Sequence, residues 1–183
     1  MISPTIVLTA AHCNGSNRPT TLVVGAYKVN NPNASSAQTR AIVEKVEHPD
    51  YNSDNNRWDF MLIRLNSPVT TLAPVQINNN KDVPSDNEDL TVIGVGATSE
   101  GGGSSNTLLE VVVKYVPTSE CNLNSAYGGQ VHDPSMFCAG KRVIIQLYRC
   151  ADTMKYEHSP NTCILYFCYP NSRRRRRHRL LSG

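Results

Sequence analysis

The chain has 183 residues, 39% of them hydrophobic, and six cysteines, so it can bury one sizeable core and a single domain is expected. Its longest apolar run near the end, residues 163–169, is too short to span a bilayer, so no membrane partner is expected. The net charge of +3 hides two populations, because residues 1–140 carry 8 Lys and Arg against 13 Asp and Glu, whereas residues 141–183 carry 10 against 2.

Short β-branched runs separated by clusters of Asn, Pro, Gly and Ser extend from Thr5 to about Cys138, a pattern typical of an all-β domain. In the run at residues 40–47, Glu44 and Lys45 interrupt an apolar series, which predicts a strand with one face in water. The run at residues 60–65 is apolar on both faces, so we expect it to be buried. In chain order the predicted strands are residues 6–10, 21–29, 40–47, 60–65, 90–98 and 108–116.

The connections are rich in Asn and Asp, which tolerate left-handed backbone conformations and favour turns. His48 and His132 lie outside the predicted strands and are interpreted as ordinary loop residues. Residues 118–127 are the one notable helical candidate, with Thr118 or Ser119 as the N-terminal cap and Gly128 at the end.

The composition changes abruptly after Gly140. Residues 141–183 combine apolar pairs, three cysteines and a basic run at 173–179 with no assignable periodicity. Such a break marks a domain boundary, a disordered tail or an artefact of gene prediction. We therefore divide the sequence into a domain at 1–140 and an unrelated basic tail at 141–183, which we expect to be disordered.

Two segments carry side chains suited to catalysis: residues 8–13 (LTAAHC) and residues 58–63 (WDFMLI). Alone, a His beside a Cys at a strand end is more often structural, and an Asp before a buried strand is usually a turn residue. Together and in this order they resemble the trypsin/chymotrypsin family of serine proteases, in which such a His is the general base and such an Asp orients it.

Three further segments follow in the order of that family: residues 48–51 (HPDY), 92–96 (VIGVG) and 136–140 (MFCAG). Val95 stands where the family commonly has Trp, a departure that affects packing more than chemistry. The resemblance covers roughly residues 2–140. It implies two antiparallel six-stranded β-barrels, the second incomplete in this chain, and a serine-type endopeptidase that acts on protein or peptide substrates without a cofactor or metal.

The resemblance assigns roles to His12 and Asp59. A hydroxyl nucleophile needs a base to take its proton, and an imidazole is the side chain suited to this near neutral pH. His12 would supply that imidazole. Asp59 would hold one tautomer of His12 and stabilise the imidazolium, while residues 60–62 exclude water.

The third member of the triad, a Ser within Gly-Asp-Ser-Gly-Gly, is absent. Residues 141–152 read KRVIIQLYRCAD where that turn should follow, and the oxyanion donors belong to the same turn. Ser159, Ser172 and Ser182 lie in contexts that match nothing in the family. We therefore expect this chain to be inactive as it stands.

The resemblance also pairs Cys121 with Cys138, and in the chain-entropy model a loop of about 17 residues contributes roughly 3 kcal/mol. The Cys that partners Cys13 in the family is absent, and nothing before Thr5 resembles the family's activated amino terminus. The family implies an extracellular location, although no signal peptide is expected from the first residues.

Other clusters are weaker candidates for a site. The residues Cys150, His158, Cys163, Cys168 and His178 fit no zinc spacing, so no metal site is predicted. The arginine run could neutralise phosphates, but no aromatic platform accompanies it, and nucleic acid is not an expected partner.

Several interpretations stay open. The first is that the locus encodes a trypsin-like endopeptidase and that the residues after Gly140 come from an intron or a shifted frame. Alternatively, the chain is a noncatalytic homologue that binds a protein partner. A polyanion-binding protein acting through residues 173–179 is a third interpretation. A monomer is expected.

Overall fold

The computed structural model describes residues 1–15, 19–29, 31, 37–96, 103–123 and 127–140. In these residues strands predominate and helix is limited to single turns, so the prediction of an all-β fold is confirmed. The elements are β1 (Ile6–Thr9), a 3-10 helix (Ala11–Asn14), β2 (Thr21–Val24), β3 (Gln38–Glu47), β4 (Met61–Leu65), β5 (Asp89–Gly94), β6 (Leu109–Val116), α1 (Thr118–Cys121) and β7 (Cys138–Gly140).

The first sheet has four antiparallel strands in the order β1-β4-β3-β2. The first part of β3 pairs with β2, and the part from Ile42 onward pairs with β4. The register shifts between Ile42 and Glu44, which makes Val43 a β-bulge. Since a bulge bends its strand and increases the local twist, β3 changes direction where it changes partner.

Alternate residues of β4 form the centre of the main core. Met61, Ile63 and Leu65 are buried and pack with Ala10 and Ala11 of the first segment. The intervening Leu62, Arg64 and the preceding Phe60 are exposed. The prediction that this strand is buried on both faces is therefore wrong, because an antiparallel sheet here covers a core on one face only.

The second sheet, in the order β5-β6-β7, is antiparallel and smaller. Its buried cluster comprises Val116, Cys121, Tyr127, Val131 and Cys138. Both faces of β6 carry exposed apolar side chains, since the consecutive residues Val111 and Val112 are both exposed. This open arrangement agrees with the expected incomplete second barrel.

Backbone bonds join the two halves of the described chain. The Val29 N–H donates to the Asn106 carbonyl and the Leu108 N–H to the Tyr27 carbonyl, each at 2.9 Å. The strand predicted at 21–29 ends at Val24, because Gly25 has a φ of 88° and leaves the extended conformation.

Two other elements differ from the sequence prediction. The helix predicted at 118–127 is a single turn that ends at Cys121. Strand β7, only three residues long, was not predicted, since so short a run has no recognisable alternation.

Candidate active site

The 3-10 helix that follows β1 carries His12. Its neighbours Ala11 and Cys13 are buried in the main core, so the His12 side chain between them projects toward the surface and is 21% exposed. The last residue of this helix, Asn14, donates from Nδ2 to Glu47 Oε1 at 2.6 Å and accepts from Lys45 Nζ at 3.2 Å. These bonds attach the helix to β3.

Asp59 lies in the tight turn that leads into β4. The Phe60 N–H donates to the Trp58 carbonyl at 2.7 Å, which places Asp59 at the centre of a three-residue turn. Trp58 has a φ of 56°, a left-handed conformation that is uncommon for a residue with a bulky side chain. The turn directs the Asp59 carboxylate toward the end of β1 rather than along its own strand.

His12 and Asp59 meet through two hydrogen bonds. The backbone N–H of His12 donates to Asp59 Oδ1 at 2.8 Å, and the ring atom Nδ1 of His12 lies 2.5 Å from Asp59 Oδ2. An ionised carboxylate only accepts hydrogen bonds, so this contact places the proton on Nδ1 and the imidazole lone pair on Nε2. The pair is thus arranged with Nε2 as the atom that can accept a proton.

The environment of Asp59 sets its protonation state. Burial raises the pKa of the carboxyl, but hydrogen bonds from the ring and backbone of His12, the charge of His12 and a bond from the Ala11 backbone outweigh it. The pKa of Asp59 therefore lies below its ordinary value of 3.8, and the group is ionised at neutral pH.

Tyr51 lies within the electrostatic range of the same carboxylate and packs against the main core. Burial raises the pKa of the Tyr51 phenol above its ordinary value of 10.0, and the negative charges of Asp59 and Glu47 raise it further. Tyr51 belongs to the HPDY segment that the sequence singled out, so the structure brings that segment to the His12 and Asp59 pair.

Aromatic rings surround the turn that holds Asp59. The rings of His48 and Trp58 stack at 4.7 Å with planes 8° apart, and His132 contacts Trp58 edge-on at 5.6 Å. The sequence-based interpretation of both histidines as ordinary loop residues missed these contacts. The HPDY segment gave a signal for His48, whereas nothing local in the sequence marks His132.

The cysteines of the described chain are all in disulfides. Cys121 of α1 is bonded to Cys138 of β7 across a sequence separation of 17. Cys13 is also disulfide-bonded. The cysteines at 150, 163 and 168, the histidines at 158 and 178 and the three tail serines lie outside the described residues.

Neither a metal site nor a membrane span is found in the residues described. None of their His, Cys, Asp and Glu side chains form a group of three or more that could hold a metal ion. No helix among them has the length and apolarity needed to cross a membrane.

A family model described as Trypsin matches residues 1–150, which is most of the chain. The match includes both segments that meet at the His12 and Asp59 pair, and it agrees with the all-β fold and the incomplete second sheet. Proteins of this family hydrolyse protein or peptide substrates and are typically extracellular. The chain belongs to the trypsin family.

Proposed function

We propose that the locus encodes a serine-type endopeptidase in which His12 is the general base and Asp59 is the carboxylate that orients it. The observation that carries this proposal is the pair of hydrogen bonds from His12 to Asp59, at 2.8 and 2.5 Å. With Nδ1 donating to Asp59, Nε2 can take a proton from a hydroxyl nucleophile as it attacks a peptide carbonyl. His12 then returns that proton to the leaving amine, while Asp59 stabilises the imidazolium.

For the 183-residue chain itself we propose no hydrolysis. The residues after the MFCAG segment contain no Gly-Asp-Ser-Gly-Gly, so both the nucleophile and the backbone donors of the oxyanion turn are missing from the sequence. Loss of a single oxyanion donor already costs about 10²–10³ in rate, and loss of the nucleophile removes the acyl-enzyme route.

We assign residues 1–140 to a partial protease domain and residues 141–183 to an unrelated basic tail read from an intron or a shifted frame. The charge changes sign at this boundary, from 8 Lys and Arg against 13 Asp and Glu in residues 1–140 to 10 against 2 in residues 141–183. Sequencing the mature transcript across codon 140 tests the assignment, and we expect a message that continues into Gly-Asp-Ser-Gly-Gly. The same 141–183 tail in the mature message would refute it.

Activity is tested on two proteins in parallel. The 183-residue chain should not react with a fluorophosphonate probe, whereas the product of a transcript with the serine turn should be labelled and should cleave a peptide amide. In that product, Asp59→Asn should reduce kcat strongly, since the corresponding change in the family's reference enzyme lowers kcat about 10⁴-fold. Labelling of the 183-residue chain would overturn the proposed inactivity.

A noncatalytic binding protein is the second candidate. It is favoured by the retention of the four-stranded sheet, its core and the His12 and Asp59 geometry in a sequence without the nucleophile. Stable, saturable binding of one protein partner by the purified chain, unchanged in His12→Ala, would support it. Binding to nucleic acid that weakens with salt would instead favour the tail at 173–179 as the functional element.

We propose an extracellular location for the product of this locus, as is typical of its family. The buried Cys121 and Cys138 disulfide supports this location, because such bonds persist in oxidising compartments. Detection of the disulfide-bonded protein in the medium of expressing cells tests it, with a cytosolic, reduced protein as the contrary result.

A further inference from the structure

The backbone of Trp58 has a conformation that needs support from elsewhere in the fold. Its φ of 56° places it in the left-handed region, which a residue with a bulky side chain rarely occupies because Cβ approaches the carbonyl oxygen. Trp58 directly precedes Asp59, and its carbonyl accepts the Phe60 N–H at 2.7 Å to close the turn around Asp59. The direction of the Asp59 side chain therefore depends on the conformation at Trp58.

His48 holds both neighbours of Asp59. Its ring stacks on Trp58 at 4.7 Å and meets Phe60 edge-on at 6.5 Å. Its backbone N–H donates to the Phe60 carbonyl at 2.9 Å. The ring of His48 is itself oriented, since Nδ1 accepts the Asp50 N–H at 3.2 Å. A residue directly after β3 thus contacts the chain on both sides of Asp59.

His132 supports Trp58 from the second half of the described chain. Its ring contacts the indole edge-on at 5.6 Å, and its Nδ1 lies 2.8 Å from Ser135 Oγ. The preceding Val131 is buried and exchanges two hydrogen bonds with the Asn122 side chain, each at 2.9 Å. The segment that presents His132 is therefore anchored in the smaller core.

We propose that Trp58 is a positioning residue whose indole, held by the rings of His48 and His132, keeps the turn in the conformation that aims both Asp59 oxygens at His12. The two hydrogen bonds from His12 leave little freedom, because they engage both oxygens of one carboxylate with the backbone and ring of one residue. Rotation at Trp58 into the ordinary φ range would swing the Asp59 Cβ away from both donors. The importance of these ring contacts for catalysis rests on the proposed function, whereas their effect on the direction of the Asp59 carboxylate does not.

The test compares Trp58→Ala and Trp58→Phe in the full 183-residue chain by NMR, without substrate. The first readout is the downfield resonance of the His12 Nδ1–H, and the second is the titration of the Asp59 carboxyl followed by ¹³C. In Trp58→Ala we expect loss of the Nδ1–H resonance and a rise of the Asp59 midpoint toward 3.8. Trp58→Phe retains a stacking ring and should preserve both signals.

Phe137→Ala is the matched control, since it removes an exposed aromatic ring that contacts Tyr115 and should leave both readouts unchanged. If Trp58→Ala does not fold, His48→Ala provides the same test, because it removes the ring that stacks on Trp58. A sharp resonance in Trp58→Ala or in His48→Ala, or equal loss in Trp58→Phe, overturns the proposal. These readouts need no catalysis, so their failure is distinct from failure of the proposed protease.

Discussion

Both carboxylate oxygens of Asp59 are bonded to a single residue, His12, one to its backbone N–H and the other to its ring. The backbone bond fixes the 3-10 helix that carries His12, and the ring bond fixes the tautomer of the imidazole. Both hydrogen bonds are accepted by the same carboxylate and therefore depend on one negative charge. A change in that charge should therefore alter both the stability of the fold and the orientation of the base.

The first prediction concerns the pH dependence of stability. The pKa of Asp59 is lower in the folded chain than its ordinary value of 3.8, so the native state favours the ionised form. Its contribution to the free energy of unfolding is complete above the unfolded-state pKa and is lost as the pH falls through the lower, folded-state pKa. Relative to Asp59→Asn, the wild-type chain should lose stability below about pH 4.

Urea denaturation of both proteins at a series of pH values measures this difference. Glu44→Gln is a suitable control, because Glu44 pairs with Arg64 on the exposed face of the same sheet. Its stability difference from the wild type should be within about 1 kcal/mol at neutral pH, as for exposed ion pairs. Parallel pH profiles for the wild type and Asp59→Asn would contradict the stabilising role of the carboxylate.

The second prediction uses Tyr51 as a reporter of the Asp59 charge. Burial raises the pKa of its phenol above 10.0, and the charges of Asp59 and Glu47 add to this rise. Removing a nearby negative charge makes the phenolate less unfavourable, so Asp59→Asn should lower the pKa of Tyr51. Because burial remains, the pKa should stay above 10.0. Residue-specific ¹³C NMR is needed, since the chain contains 8 tyrosines.

The contrary result for Tyr51 is an unchanged titration in Asp59→Asn. Glu47→Gln should act in the same direction by a smaller amount, because Asp59 is the stronger of the two charge effects. Asp54→Asn is the control, since Asp54 is exposed and does not contribute to the shift at Tyr51.

The meeting of His12 and Asp59 was predicted from the sequence through the resemblance of their two segments to the trypsin/chymotrypsin family, and the strand register gives its physical reason. Thr9 pairs with Met61 in the register of β1 and β4, so the end of one strand lies opposite the start of the other. The residues just after β1 and just before β4 are consequently neighbours. The contact between Trp58 and His132 could not be predicted, because it depends on the packing of two loops that no strand pairing connects.

The strand positions were predictable from local apolar patterns, whereas the shape of β3 was not. The alternation of apolar residues located the strand, but the bulge at Val43 is determined by its two partners, β2 and β4. The exposure of Leu62 depends likewise on what covers the sheet. Its neighbours across the sheet, Leu8 and Val46, are exposed on the same face, so apolar character alone did not indicate burial.

The third prediction compares adjacent residues of β4. Met61 is 1% exposed and Leu62 is 41% exposed, although both are large and apolar. Met61→Ala would leave a cavity in the main core and should cost about 2–5 kcal/mol of unfolding free energy. Leu62→Ala should cost less than about 1 kcal/mol, as for most surface substitutions. Urea denaturation at neutral pH measures both, and equal costs would refute the one-sided burial of the strand.

The fourth prediction concerns the disulfide between Cys121 and Cys138, which joins α1 to β7 within the smaller core. Both cysteines are buried, and Cys138 pairs with Val116 in the register of β6 and β7. Because the bond closes a loop with a sequence separation of 17, its removal should cost about 3 kcal/mol in the chain-entropy model. The double variant Cys121→Ser, Cys138→Ser should thus unfold at lower urea concentration than the oxidised wild type.

The location of this loss is as informative as its size. The disulfide lies in the second sheet, whereas His12 and Asp59 meet beside β1 and β4, so the His12 Nδ1–H resonance should survive at low urea concentration in the double variant. Hydrogen exchange should become faster in β6 and β7 and stay unchanged in β4, because locally weakened regions open independently of the remaining core. Equal acceleration in β4 would mean that the two sheets unfold as one cooperative unit, with the contact of Trp58 and His132 as a physical connection between them.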